Sequence, residues 1–282
     1  MKLASFRVGG AASYGVVRDD GVVDAGRRLG ETAPDLRRAI ARGVEALRPF
    51  AEQPADHGFD QIEFLPVVPN PDKVVCIGIN YMTHVKETGR PIPEYPMVFT
   101  RFANSQVGHG QPIWRPPESE RFDYEGELAV IIGLAGRRIP RERALEHVAG
   151  YACYNDGSIR DWQRHSVQYT PGKNFERSGA FGPWMVTADE IPDPAALTLE
   201  TRLNGQVMQH APISDLIFDV PALIAYVSTF TTLYSGDVIV TGTTGGVGAF
   251  REPPVWMKPG DVVEVEISRI GTLRNPVIDE PI

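Results

Sequence analysis

Cysteine is scarce in this chain: two in 282 residues, Cys76 and Cys153, each set in an apolar segment. Isolated thiols of that kind read as small buried residues and argue against a disulfide framework or a Cys/His zinc cluster. Positive charge is also in short supply, with 28 Lys+Arg against 36 Asp+Glu and a net charge of −8. A sequence-independent nucleic-acid binder needs a basic surface, and so does a protein that lies on an acidic membrane face. No apolar run reaches the length of a membrane span, and the opening Met1-Lys2-Leu3-Ala4-Ser5-Phe6 lacks the apolar core of a signal peptide. The expectation is a cytoplasmic protein with neither a nucleic-acid nor a membrane partner. Internal repeats and low-complexity tracts are absent as well.

What is present is an ordinary globular composition, 42% hydrophobic and 23% charged, in a chain long enough for one large domain or a small one beside a larger. Residues 1–25 carry short apolar runs separated by Gly9-Gly10 and Asp19-Asp20-Gly21, the pattern of strands and turns. Leu36, Ile40, Val44 and Leu47 then recur at helical spacing, which predicts a helix over 34–51. The proline-punctuated stretch Leu65-Pro66-Val67-Val68-Pro69-Asn70-Pro71 marks a connector. The expected division is a small N-terminal αβ domain, 1–68, and a larger domain, 69–282. Beyond the connector, strand-like runs at 73–77, 97–100, 128–133, 150–155, 197–203, 238–241 and 261–267 alternate with Gly/Pro turns. Helical spacing is confined to places such as 141–148 and 220–233. The fold class is therefore mixed α/β and β-rich, without the regular βαβ alternation of a dinucleotide-binding sheet.

The residues with chemistry cluster in this second part. In Phe122-Asp123-Tyr124-Glu125-Gly126-Glu127, the two glutamates are two apart at the start of a buried strand, so they share a face. Taken alone, Glu-x-Glu fits a solvated strand start more often than a metal site. Asp156, after the run Tyr151-Ala152-Cys153-Tyr154-Asn155, is on its own a turn signal, but with Glu125 and Glu127 it completes a three-carboxylate set. Oxygen-only ligands suit Mg²⁺ or Mn²⁺, and three protein ligands leave positions open for substrate. His84 and Glu87 lie three apart, on one face of a helical turn, so the carboxylate can orient the imidazole for proton transfer. Lys173, in the turn Pro171-Gly172-Lys173, reads equally as an oxyanion partner or a surface lysine. The glycine-rich loop after Val238-Ile239-Val240 lacks the Gly-Lys-Ser/Thr ending of a phosphate loop, and it reads as a carboxylate cradle with Gly242 and the Thr243 hydroxyl, or as a tight turn.

In order along the chain, these segments resemble the fumarylacetoacetate hydrolase family. The matching elements are Gly78-Ile79-Asn80-Tyr81 with His84 and Glu87, Asp123-Tyr124-Glu125-Gly126-Glu127, and Asn155-Asp156 through Arg160-Asp161 and Gln163. Gly172-Lys173-Asn174-Phe175, Gly182-Pro183, Leu216-Ile217-Phe218 and Thr241-Gly242-Thr243 through Gly248 complete the pattern. The resemblance implies a β-roll catalytic domain, a homodimer, and Mg²⁺ or Mn²⁺ on Glu125, Glu127 and Asp156. It also implies His84 and Glu87 as a water-activating pair, with Lys173 and Gln163 contacting substrate. Two departures bear on the substrate: Thr244 stands where many members have proline, and Arg101 where lysine is common. With Gln168 and Tyr169, these make the expected pocket contacts. The expected activity is metal-dependent C–C hydrolysis of an acylpyruvate, a 2,4-diketo acid, to pyruvate and a second acid. A 2-keto acid decarboxylase of the oxaloacetate type or a keto–enol isomerase is the alternative, and a non-catalytic small-acid binder a more distant one.

Overall fold

The fold, described here from a computed structural model, covers residues 1–281. Most strands join one eleven-stranded sheet. Its main path runs Gly21–Asp24, Ala11–Arg18, Lys2–Val8, Gly179–Thr187, Val148–Asn155, Gly126–Ile132, Val238–Thr243, Val74–Gly78 and Met97–Arg101. A second, five-stranded sheet has the order Gln206–Pro212, Thr198–Leu203, Val262–Ile267, Gly271–Asp279 and Ile113–Arg115. The mixed, β-rich reading of the sequence holds.

Gly126–Ile132 lies at the heart of the larger sheet, and all of its residues are buried. Side chains alternate along a strand, so its two faces have different neighbours. Leu128, Val130 and Ile132 pack with Leu199, Val263, Val265 and Ile267 of the second sheet. Ala129 and Ile131 pack in a separate cluster with Leu36, Ile40 and Leu47 from the N-terminal segment. A strand covered on both faces has to be apolar at nearly every position, which is why Leu128 through Ile132 reads as an unbroken apolar run.

The N-terminal segment is continuous with this arrangement. Lys2 and Leu3 pair antiparallel with Val186 and Met185, so the strands of residues 1–68 extend the large sheet. The boundary expected at residue 68 coincides with no break in sheet or core. The single helix expected over 34–51 is instead an α-helix, Leu36–Ala41, followed by a 3-10 helix, Val44–Phe50. Gly43 between them has φ 98°, which no α-helix accommodates. The periodic apolar residues still reach the core, because both pieces lie on the sheet. The helical spacing at 141–148 is likewise a 3-10 helix, Arg141–His147.

Since Leu36 is fully buried against the central strand's cluster, Leu36→Ala is expected to cost about 2–5 kcal/mol. All four tryptophans, Trp114, Trp162, Trp184 and Trp256, lie beyond residue 68, but Trp184 packs against Lys2 and Phe64, so in a Trp184→Phe background tryptophan fluorescence in a denaturant titration reports the rest of the chain. The expected result is a shifted fluorescence transition. An unmoved one would mean that residues 1–68 unfold independently.

Candidate metal centre and proton-transfer site

Sheet register assembles the carboxylates. Gly126 pairs with Asn155 and Glu127 with Tyr154, and the Asp156 N–H donates to the Glu125 carbonyl at 2.8 Å. Asp156 thus stands opposite Glu125. One oxygen from each of Glu125, Glu127 and Asp156 lies within 4.8 Å of the others, and all three residues are buried.

Three buried cations meet this cluster. Lys173 Nζ donates to Glu125 Oε2 at 2.7 Å and to Asp156 Oδ2 at 2.6 Å. Arg101 Nη1 donates to Asp156 Oδ1 at 2.6 Å. Arg160 Nη1 lies 2.6 Å from Glu125 Oε1, and its Nε donates to Asp123 Oδ2 at 2.8 Å. Four buried carboxylates, counting Asp123, therefore face three cations, which leaves one negative charge in excess. The excess falls on Glu127, which among the described residues accepts a single hydrogen bond, from the Gly242 N–H at 2.6 Å. Burial, reinforced by the Asp156 and Glu125 charges, raises the Glu127 carboxyl well above the ordinary carboxylate range. Burial also acts to raise Glu125, but Lys173 and Arg160 outweigh it and hold that group at about 2. An all-oxygen donor set carrying excess negative charge fits a hard divalent ion such as Mg²⁺ or Mn²⁺.

The contact between His84 and Glu87 forms as their spacing suggests. On the helix Met82–Thr88, His84 Nδ1 lies 2.9 Å from Glu87 Oε2. The other Glu87 oxygen, Oε1, accepts the Gly246 N–H at 2.8 Å, so both carboxylate oxygens are engaged. A cavity with an empty volume of about 610 Å³, its open mouth included, is lined by His84, Glu125, Glu127, Gln163, Tyr169, Lys173 and Thr243. Arg160, Arg90 and Arg164 line it too.

Three substrate contacts expected from the sequence sit differently. Arg101 is buried behind Asp156, bonded also to Ser105, Gly157 and Ser178, and does not line the cavity. It braces one of the three clustered carboxylates. The Gly242 N–H is engaged by Glu127. The Thr243 hydroxyl donates to the Gly126 carbonyl at 3.0 Å and accepts from Gln209 Nε2 at 2.8 Å. The amides of the glycine-rich loop thus serve the protein's own carboxylates, with Gly246 on Glu87, and Gly248 and Ala249 on Asp123. Gly242 has φ 105°, and a Cβ there would come 2.8 Å from Asn80 Cβ, so glycine is required where the loop turns. Of the other expected pocket residues, Gln168 and Thr244 do not line the cavity. The sequence reading did not single out Arg160, Arg90 or Arg164 as site residues. Arg160 carried a usable signal: it precedes Gln163 by three, and its Nη1 donates to Gln163 Oε1 at 3.0 Å.

A cluster of buried carboxylates that offers an all-oxygen donor set, and a histidine oriented by a glutamate, thus meet at one cavity, an arrangement that can seat a small molecule between a divalent ion and a proton-transfer group. The chain belongs to the fumarylacetoacetate hydrolase family: the family model described as "Fumarylacetoacetate (FAA) hydrolase C-terminal" matches residues 73–278. It is 45% identical over 220 residues to a mitochondrial oxaloacetate tautomerase of Homo sapiens, covering 77% of this chain and 70% of that protein. The solved fumarylacetoacetate hydrolase of Exiguobacterium antarcticum matches with TM-score 0.85 and 36% identity, over 99% of this chain and 100% of that one. A maleylpyruvate hydrolase from Sphingobium sp. SYK-6, solved with manganese(II) and pyruvate, matches with TM-score 0.80 and 31% identity over 100% of both chains. Among the described residues, no helix is long and apolar enough to cross a membrane.

Because the Glu127 carboxyl is raised, it keeps its proton to higher pH than an ordinary carboxylate and has to release it when an ion binds. Affinity for Mn²⁺ is therefore expected to strengthen as pH rises through that raised value. Calorimetric titration in two buffers of different ionisation enthalpy should show roughly one proton released per ion. Glu127→Gln should remove the proton release and weaken binding by about 100-fold or more. A pH-independent affinity would contradict this reading of Glu127.

Proposed function

We propose that this chain is a Mg²⁺- or Mn²⁺-dependent enzyme that interconverts the keto and enol forms of a 2-oxo dicarboxylate of the oxaloacetate type. The observation that carries the reading is the His84–Glu87 pair, in which Glu87 is held at both carboxylate oxygens and His84 lines the same cavity as Glu125 and Glu127. The 45% identity to an oxaloacetate tautomerase supports the choice of reaction.

Glu125, Glu127 and Asp156 would hold the ion, which when bound supplies Lewis-acid polarisation of a 2-oxo carbonyl. The chain's own residues do the rest. His84 Nδ1 is committed to Glu87, which fixes the ring and favours the tautomer with a free Nε2. That Nε2 takes the proton from C3 as the enol forms and returns it as the ketone re-forms. Glu87 steadies the imidazolium between the two events. The enol O–H exchanges its proton through the cavity mouth. Lys173, buried and bridging Glu125 and Asp156, stays charged because those two carboxylates outweigh the effect of burial. It holds the ligand oxygens apart and in place. Gln163, positioned by Arg160, offers its amide N–H groups to a substrate oxygen. The proposal keeps the homodimer and the cytoplasmic location expected from the sequence.

The second reading is acylpyruvate hydrolysis, in which the same His84–Glu87 pair deprotonates a water. The likeness to a maleylpyruvate hydrolase solved with manganese(II) and pyruvate favours it. The two separate in one assay. With Mn²⁺ present, the tautomerase reading expects faster decay of the oxaloacetate enol absorbance and no stoichiometric pyruvate from a panel of 2,4-diketo acids. Pyruvate with an equal amount of a second acid would transfer the assignment to the hydrolase. Under either reading His84→Gln should lower kcat by roughly 10²–10⁴-fold while leaving Mn²⁺ affinity near wild type.

A further inference from the structure

The cavity is electrically two-ended. Its floor holds Glu125 and Glu127, and the cations beside them are already engaged: Lys173 by Glu125 and Asp156, Arg160 by Glu125 and Asp123. Arg90 and Arg164 also line it, from two different segments, and both are exposed at the mouth. Neither is ion-paired with an acidic group among the described residues. Many other exposed arginines of this chain have found a carboxylate, Arg48, Arg141 and Arg143 among them. Arg90 is nevertheless held: its Nη1 donates to the Tyr169 hydroxyl at 3.1 Å. The Tyr169 ring sits edge-on to Phe99 at 5.7 Å, and Phe99 lies 5.1 Å from Lys173 Nζ. A column of contacts thus runs from Arg90 at the mouth to the carboxylate cluster at the floor.

We propose that Arg90 and Arg164 bind the distal carboxylate of the substrate, so that the cavity selects 2-oxo dicarboxylates over 2-oxo monocarboxylates, with Tyr169 as the residue that positions Arg90. This rests on the proposed 2-oxo dicarboxylate reading and assigns the residues that recognise the second carboxylate. The chemistry is simple. The 2-oxo acid end of the substrate is drawn to the floor by the divalent ion, and the molecule must then point its other end outward. Guanidinium groups with unused donors are suited to receive a carboxylate there, in a fork geometry that fixes its orientation. Tyr169, one of the pocket residues expected from the sequence, acts through Arg90.

The test is binding, and it does not depend on turnover. Calorimetry on the Mn²⁺-loaded protein compares 2-oxopentanedioate with 2-oxopentanoate, two acids of equal chain length that differ in the terminal carboxylate. The wild type should bind the dicarboxylate about tenfold or more tightly than its partner. Arg90→Gln and Arg164→Gln should each remove most of that preference while changing the monocarboxylate affinity by about twofold at most. Arg90→Lys should retain part of the preference, and Tyr169→Phe should lose a smaller part, since it keeps the ring contact and removes only the hydroxyl. Equal binding of the two acids by the wild type would overturn the proposal, and so would a variant that weakens both alike. A wild type that prefers the dicarboxylate but leaves the oxaloacetate enol untouched would uphold the arginines and sink the tautomerase reading, so the two failures are distinct.

Discussion

Charge that cannot be neutralised from within the protein is the constraint on which the rest of this structure depends. Glu125, Glu127, Asp156 and Asp123 are all buried, and Lys173, Arg101 and Arg160 are buried with them. A buried carboxylate is tolerated when a cation or several donors face it, and three of the four are so provided. Glu127 has one backbone N–H. A site built in this way holds its own proton or takes a cation, and it is poised between those two states. The surrounding scaffold serves to keep it there: the Asp156 oxygens are gripped by Arg101 and Lys173, and the Gly242 amide is delivered by a turn that Asn80 clamps to Thr241 and Phe218.

The fold explains how such a cluster is affordable. Glu125 and Glu127 share a strand face with Ala129 and Ile131, the face covered by Leu36, Ile40 and Leu47. At one end of the strand this face is dry and apolar, and at the other it opens into the cavity. The apolar end, anchored on two sides, fixes the register that sets Asp156 opposite Glu125. The N-terminal segment, which contributes no polar group to the cavity lining, therefore acts on the site through packing.

Much of this was legible in the sequence where a short-range rule governs. Strand alternation put Glu125 and Glu127 on one face, and helical spacing put His84 beside Glu87, because both relations are set within one element. Asp156 could be placed at a strand end, yet its position opposite Glu125 depends on pairing between strands. Long-range pairing is also what hid the role of Arg101: nothing local shows that it turns inward to Asp156, 55 residues away. The glycine-rich loop reads from sequence as a carboxylate cradle or a tight turn, and its amides meet the protein's own Glu127, Glu87 and Asp123. Loop chemistry identifies the kind of partner, and only the tertiary fold identifies which one. The helix expected over 34–51 failed for a local reason, since apolar periodicity survives an interruption at Gly43 that a pattern of side chains does not register.

A tautomerase and a C–C hydrolase can share this site because both begin with a 2-oxo acid held at an ion and a base at the adjacent carbon or its attacking water. What separates them is how the cavity admits water and which substrate it seats, while the ion is common to both. The position of that ion is thus the central claim. Anomalous diffraction at the manganese edge, from crystals grown with Mn²⁺, tests it most directly. The expected result is one anomalous peak per chain, within bonding distance of oxygens from Glu125, Glu127 and Asp156. No peak there at saturating Mn²⁺, with Lys173 still bridging Glu125 and Asp156, would contradict the account.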